Sequence, residues 1–325
     1  MIGWRCPSRA QPFLSSRQLT IKMELWAYCR ASTVFPGQFM IHNYLRRLYR
    51  TLMPLLYSRS RFKLFQTAAL GDIELRMLAL ASTTDYFSGF VRPIPIQAPF
   101  GKSMLVVAPH QDDEAIGCGG ALALQVRSGQ RASIVMLQSG VGEDIAGLTP
   151  QQVIELRNEE SRRCAAVLNL DPPVFLNHQD LAAEASQASE EVLHILQEKR
   201  VDAVFVPFVL DGHPDHRTAN RILAAALAKI SWDVRVFGYE VWGLCVPNVM
   251  VILDEVMEDK LRMIACFEFA NKAIDYVQST KGLNMFHSRM LGAGECRYAE
   301  RFFELPRKEY IELVERVRAA ELRTP

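Results

Sequence analysis

Histidine and aspartate are concentrated in two short segments of the sequence, "APHQDDE" and, about a hundred residues later, "DGHPDH". Imidazole nitrogens and carboxylate oxygens are the usual ligands of catalytic zinc, which takes three protein ligands and keeps a fourth position open. A further carboxylate could accept a proton, and a further histidine could stabilise an oxyanion. These residue types predict metal-assisted hydrolysis, although they do not decide which aspartate is a ligand and which is a base. The candidates are His110, Asp112, Asp113, Asp211, His213, Asp215 and His216.

Each segment also has a simpler interpretation. Aspartate just before a helix is often only an N-cap, so Asp112 or Asp215 taken singly would be assigned that role. The glycines after the first segment suggest a nucleotide-binding turn, but Gly117 and Gly119 leave the third position of G-x-G-x-x-G on Leu122. Acidic side chains at this turn would also repel a pyrophosphate. The sequence therefore argues against a dinucleotide site, and the joint occurrence of the two clusters favours a metal.

Strands and helices alternate after residue 103. The alternation predicts an α/β, Rossmann-like three-layer fold with a mostly parallel sheet. Each acidic segment follows an apolar run, "SMLVVAP" or "VDAVFVPF", that predicts a buried strand. Ligands bind beyond the carboxyl ends of the strands in such a sheet. If these two strands are neighbours, the segments form one metal site at the C-terminal strand ends. Thr149 and Pro150 are the predicted N-cap and first residue of a helix over 149–170.

Composition divides the chain into two parts. Residues 1–98 are basic and arginine-rich, and we expect a partly helical N-terminal extension ahead of a catalytic domain over 99–325. Helical spacing in this extension favours a helix packed on the main domain, with a helix that contacts a membrane surface or a partner as the alternative. The linker "VRPIPIQAPFGKS" is expected to be extended.

Charge and cysteine content restrict the partners and the compartment. A net charge of +1 gives no reason to expect nucleic acid. The seven cysteines are scattered without C-x-x-C pairs, which indicates free thiols and a cytoplasmic location. The N-terminus lacks the apolar core of a secretory signal, and no stretch approaches the roughly 20 apolar residues of a transmembrane helix. Oligomeric state stays open.

The motifs resemble those of the PIG-L/LmbE family of zinc-dependent N-acetylglucosaminyl deacetylases. "APHQDDE" is similar to the family's (A/P)-H-P-D-D-E, and "HPDH" to its H-x-D-H. Three further stretches are similar to family segments: "ELRNEESRRCAAVLNL", "YEVWGLCVPNVMVILDEVMEDKL" and "CRYAERF". The resemblance covers about residues 103–305.

The resemblance implies roles for the two motifs. His110, Asp113 and His216 would be the zinc ligands. Asp112 would be the general base that activates the attacking water, and His213 would polarise the amide oxygen and stabilise the tetrahedral intermediate.

The resemblance also implies supporting roles outside the ligand set. Asp215 would orient His213. Arg157, Asp180 and the weaker candidate Glu143 fall where the family contacts sugar hydroxyls, with a helix-surface arginine and a loop cap as the simpler interpretations of Arg157 and Asp180. Gln111 replaces the family's proline, which either loosens the loop or adds a hydrogen bond to substrate.

We therefore expect a metal-dependent hydrolase that removes an N-acetyl group from an N-acetylated amino sugar or its conjugate. Zinc is the expected cofactor, although Fe²⁺ suits the same nitrogen and oxygen ligands. One alternative is a metal-dependent amidase that acts on a non-sugar amide or a thiol conjugate. Another is a non-catalytic member that docks a partner or membrane surface through its basic N-terminal region.

Overall fold

A computed structural model describes residues 93–140, 147–243, 245–291, 294 and 296–321. The predicted extension over 1–98 lies almost entirely outside these residues, as does Glu143, so both remain predictions. No helix within the described ranges is both long and apolar enough to cross a bilayer. The five cysteines that the structure describes are all unpaired, as expected from their scatter.

The described residues form eight strands and eight α-helices, with one short 3₁₀ helix at Arg289–Leu291. The strands are β1 (Ile94–Ile96), β2 (Ser103–Ala108), β3 (Arg131–Gln138), β4 (Val174–His178), β5 (Ala203–Pro207), β6 (Arg235–Tyr239), β7 (Val249–Ile252) and β8 (Ala299–Pro306). The helices are α1 (Asp113–Arg127), α2 (Pro150–Ala166), α3 (Ala185–Glu198), α4 (Pro214–Ala228), α5 (Met257–Ala265), α6 (Glu268–Ala273), α7 (Tyr276–Ser288) and α8 (Arg307–Glu321).

The strands form one mixed sheet in the order β1-β7-β8-β6-β5-β2-β3-β4. The predicted α/β, mostly parallel architecture is confirmed. β2 pairs directly with β5 in parallel, with Leu105 opposite Val204. The two strands that precede the acidic segments are therefore neighbours, and their carboxyl ends meet at one edge of the sheet.

Three features of the fold go beyond the sequence-based expectations. The proline-rich linker is extended where β1 forms, as expected, and this strand also pairs with β7 at the edge of the sheet. β8 lies antiparallel between β6 and β7, an insertion that the alternation of elements did not predict. Helix α1 begins at Asp113, which lies inside the first acidic segment.

Both faces of the sheet are buried because alternate side chains of each central strand enter different cores. All six residues of β2 are buried. Met104 and Val106 pack in one apolar cluster with Phe205, while Leu105 and Val107 pack in the other. This two-sided burial explains why the strand is a continuous apolar run.

Glycines bring α1 close to the sheet. A Cβ on Gly117 would lie 2.1 Å from the Tyr239 ring, and one on Gly120 would lie 2.4 Å from Leu253 Cδ2. A side chain at Gly117 or Gly120 would therefore force the helix away from the sheet. The helix is kinked at Cys118, where φ is −144°. After the kink, the buried Glu300 carboxylate accepts the Gly120 and Ala121 N–H groups at 2.8 Å each.

Candidate metal centre

The chain turns sharply between β2 and α1, and this turn carries the first set of candidate functional groups. Asp112 occupies the N-cap position with φ +116°, a backbone conformation that residues other than glycine rarely adopt. Its side chain makes no capping hydrogen bond. The simple capping interpretation of Asp112 is therefore wrong, and the unusual backbone conformation points to a function.

The Asp113 carboxylate lies between two histidines from different segments. Its Oδ2 atom is 3.2 Å from His110 Nδ1 and 3.3 Å from His216 Nε2. Two donors bound at about 2.0–2.1 Å in a tetrahedral zinc site lie about 3.3–3.4 Å apart. The separations in this cluster therefore fit the edges of such a tetrahedron, and the structure brings the three predicted ligands together.

The second nitrogen of each histidine faces another carboxylate. His110 Nε2 is 3.3 Å from Asp215 Oδ2, and His216 Nδ1 is 3.2 Å from Asp211 Oδ1. A carboxylate behind a metal-ligating imidazole is a recurrent arrangement that fixes the ring orientation. Both histidines therefore have the environment of metal ligands.

His216 provides a direct test of whether a metal fits. The side chain is fully buried, and neither ring nitrogen makes a hydrogen bond of acceptable geometry within the described residues. Buried polar atoms are rarely left without such a bond. A cation held between His216 and Asp113 would satisfy one of these nitrogens, so the residues present fit a metal.

The charges in the cluster also favour a cation. Burial opposes protonation of His110, but the Asp113 and Asp215 carboxylates outweigh it and raise the pKa of His110 to about 10. The pKa of His216 is raised to about 9, because Asp113 and Asp211 likewise outweigh its burial. Burial alone would raise the pKa of Asp113, yet the two histidines hold it well below its ordinary value. Positive charge is therefore stabilised at this position.

His213 differs from the other two histidines. It is the N-cap of α4, and its Nδ1 accepts the backbone N–H of Asp215 at 3.2 Å. Burial and the neighbouring histidine charges lower the pKa of His213, which favours the neutral ring. A neutral ring that accepts at Nδ1 has its proton on Nε2, so His213 can donate a hydrogen bond to a developing oxyanion.

One ring nitrogen from each of His110, His213 and His216 also lies within 4.8 Å of the others, which makes a three-histidine ligand set a geometric alternative. We favour Asp113 as the third ligand because its oxygen lies within about 3.3 Å of both histidines. His213 also has one nitrogen engaged by the backbone. The two ligand sets differ in whether loss of the His213 side chain releases the metal.

Asp215 has a different principal partner from the one that the resemblance implies. Its carboxylate is within hydrogen-bond distance of His110 Nε2 at 3.3 Å, whereas it lies 3.7 Å from His213 Nδ1. Only the backbone amide of Asp215 contacts His213 closely. The Asp215 carboxylate therefore contacts His110, a predicted metal ligand, on the side away from Asp113. The N-cap of α4 is His213 and not Asp215.

Arg157 and Asp180 have separate environments. The Arg157 side chain is only 5% exposed, so the helix-surface interpretation is wrong. Its Nη2 donates to the Gln111 carbonyl oxygen at 2.7 Å and lies 4.0 Å from Asp112 Oδ2. Asp180 is exposed and accepts the N–H groups of Ala182 and Ala183, as a loop cap does. Sugar contacts by Arg157 and Asp180 remain predictions.

Gln111 stiffens the loop in a different way from the proline it replaces. Its side chain is fully buried, and Nε2 donates to the Gln138 carbonyl oxygen at 3.1 Å and to Asn158 Oδ1 at 3.3 Å. The expectation of a hydrogen bond to substrate does not fit this burial. The loop is anchored to β3 and α2 instead.

Glu114 completes the first segment. Burial, followed by the charge of Asp112, raises the pKa of Glu114 to about 8. The carboxyl group is therefore mainly protonated at neutral pH. Neutral Glu114 adds little repulsion beside Asp112 and Asp113, although its Oε2 still accepts the Asp112 N–H at 3.1 Å.

Asp211 is a further residue of the cluster, and the resemblance implies no role for it. It is almost fully buried, and Oδ1 both faces His216 Nδ1 and accepts the His213 N–H at 2.8 Å. Oδ2 accepts the Trp242 and Gly243 N–H groups at 3.1 and 2.8 Å. Its position two residues before His213 in the second segment was the available signal.

We expect Asp211→Asn to weaken zinc binding by about 10- to 100-fold, because the amide can no longer hold His216 with a charged acceptor. Competition with a chromophoric chelator measures the affinity directly. The matched control is Asp233→Asn, which changes an exposed aspartate just before β6. An unchanged zinc affinity in the Asp211 variant would contradict this positioning role.

The sequence matches that of a known protein family over the same region. The family described as PIG-L, GlcNAc-PI de-N-acetylase, matches residues 105–227, which include both acidic segments. A relative named diacetylchitobiose deacetylase from Thermococcus kodakarensis is 26% identical over 193 residues, and the match covers 53% of this chain and 72% of the relative.

Two solved structures share the fold. The N,N'-diacetylchitobiose deacetylase of Pyrococcus horikoshii has a TM-score of 0.56 at 23% identity, covering 74% of this chain and 96% of that one. The 4-carboxy-2-hydroxymuconate hydratase GalB of Pseudomonas putida has a TM-score of 0.55 at 20% identity, covering 63% and 96%. Because these two proteins have different activities, the fold alone does not decide the reaction. The sequence match points to one family: residues 105–227 of this chain are similar to the PIG-L family, and the Thermococcus relative that is 26% identical is named as a deacetylase.

Proposed function

We propose that this protein is a zinc-dependent deacetylase that hydrolyses the N-acetyl group of an N-acetylated amino sugar or its conjugate. The observation that supports this most directly is the position of Asp113 Oδ2, 3.2 and 3.3 Å from nitrogens of His110 and His216. The family description and the activity named for the Thermococcus relative support an acetamido sugar as the substrate class. The cytoplasmic location expected from the unpaired cysteines belongs to the same proposal.

His110, Asp113 and His216 would hold the metal. When bound, zinc polarises the amide carbonyl and lowers the pKa of the attacking water towards about 7. Asp112 lies outside this ligand set on the strained turn and accepts the proton of that water. His213 donates its Nε2 proton in a hydrogen bond to the oxyanion of the tetrahedral intermediate.

Collapse of the intermediate breaks the C–N bond and releases acetate. Asp112 returns the proton it accepted to the departing amine nitrogen, so the same carboxyl group acts first as a base and then as an acid. The buried guanidinium of Arg157 lies 4.0 Å from Asp112 Oδ2 and places a positive charge beside the base. Asp211 and Asp215 keep the two histidine ligands oriented throughout.

Acetate release from a panel of amides tests the proposal. Zinc-loaded protein is incubated with N-acetylglucosamine, N,N'-diacetylchitobiose, an N-acetylated amino acid and an acylated thiol conjugate. We expect release from the sugars, loss of activity after chelation, and recovery when zinc is restored. Release only from the non-sugar amides would favour the amidase alternative. Stoichiometric zinc with no turnover on any amide would favour a non-catalytic member or another reaction.

A further inference from the structure

Trp242 exposes a large apolar surface at the edge of the sheet that contains the metal centre. It follows the carboxyl end of β6, and its side chain is 50% exposed. The other tryptophan in the described part of the chain, Trp232, is partly buried and donates its Nε1–H to the Val201 carbonyl oxygen at 2.7 Å. A half-exposed indole beside a catalytic centre is a typical contact surface for a ligand.

The backbone of Trp242 is fixed to the metal centre. One oxygen of Asp211 accepts its N–H at 3.1 Å, and the other oxygen accepts the N–H of His213 at 2.8 Å. A single buried carboxylate therefore joins the two backbone segments. Gly243 allows this approach, since a Cβ there would lie 3.2 Å from Asp211 Cα.

The indole ring of Trp242 also contacts a second aromatic ring. Its ring packs edge-to-face against Tyr276, the first residue of α7, with centroids 6.5 Å apart and planes at 86°. A ring held in this way loses little conformational entropy when a ligand binds, so the exposed surface is preorganised.

We propose that Trp242 forms a subsite for the sugar ring next to the ring that bears the reacting acetamide. This inference rests on the proposed function. The acetamide must reach the buried histidines, so the adjoining part of the substrate stays outside, where Trp242 stands. The C–H face of a pyranose is apolar and matches the apolar surface of an indole. The substrate class is therefore a disaccharide or longer conjugate rather than a free monosaccharide.

Comparison of two substrates tests the subsite. In Trp242→Ala, we expect the KM for N,N'-diacetylchitobiose to rise about five- to tenfold with kcat nearly unchanged, as for the loss of one aromatic contact. The KM for N-acetylglucosamine should stay the same. Trp242→Phe should recover most of the loss, and Phe286→Ala, which removes another half-exposed aromatic side chain, serves as the control.

A binding measurement separates failure of this inference from failure of the proposed function. Titration of the protein with chitobiose, the fully deacetylated disaccharide, should quench tryptophan fluorescence, and Trp242→Phe should lose most of that quenching. If the parent protein deacetylates neither sugar, the proposed function fails, but the titration still tests the subsite. Equal KM changes for both sugars, no KM change, or quenching that is unaffected in Trp242→Phe would overturn the inference.

Discussion

Asp112→Asn should lower kcat by about 10²- to 10⁴-fold while zinc remains bound with parental stoichiometry. The amide keeps the size of the side chain but cannot accept the proton of the attacking water. Asparagine is the appropriate replacement because, like aspartate, it tolerates the positive φ at this position. Steady-state acetate release and elemental analysis of the same preparation measure both quantities.

Asp171→Asn is the matched control for this experiment. Asp171 is exposed and lies before the amino end of β4, at the opposite edge of the sheet from the metal centre. We expect the control to retain parental kcat. Parental turnover by Asp112→Asn would show that another group is the base, and loss of zinc from this variant would show that Asp112 is a ligand.

His216→Gln should abolish both zinc binding and activity. The glutamine side chain is neutral and is not among the usual zinc ligands, so we expect zinc affinity to fall by more than about 100-fold, beyond the loss typical of removing a residue that only orients a ligand. Competition with a chromophoric chelator gives the affinity, and thermal unfolding shows whether the variant is folded. His194→Gln is the control, because that histidine is 78% exposed on α3.

The same measurement on His213→Gln separates the two ligand sets. If Asp113 is the third ligand, this variant keeps its zinc but loses turnover, because the substitution removes the oxyanion hydrogen bond and the cap on the Asp215 N–H while all three ligands remain. If the three histidines bind the metal together, His213→Gln loses zinc as His216→Gln does. Parental zinc affinity in His216→Gln would contradict both ligand sets.

Local sequence patterns determined most of the elements that position the site. The apolar runs around Val106 and Phe205 are strands, and Thr149 caps α2 with a reciprocal hydrogen bond from Gln152, as its position predicts. These features depend on side-chain periodicity and on groups a few residues apart, so they can be inferred without tertiary information. The antiparallel insertion of β8 depends on contacts between distant segments, and the alternation of elements gave no sign of it.

The sequence by itself determined the chemistry available to this protein: two segments rich in histidine and aspartate, each placed after a buried strand. Only the tertiary structure decided which of those side chains contact one another. It made β2 and β5 neighbours, put Asp211 behind His216 and Asp215 behind His110, and buried Arg157 near Asp112. The physical reason is that side-chain type and spacing specify which groups can ligate, donate or accept. The partner of each group is set by strand pairing and close packing between residues that are distant in the chain.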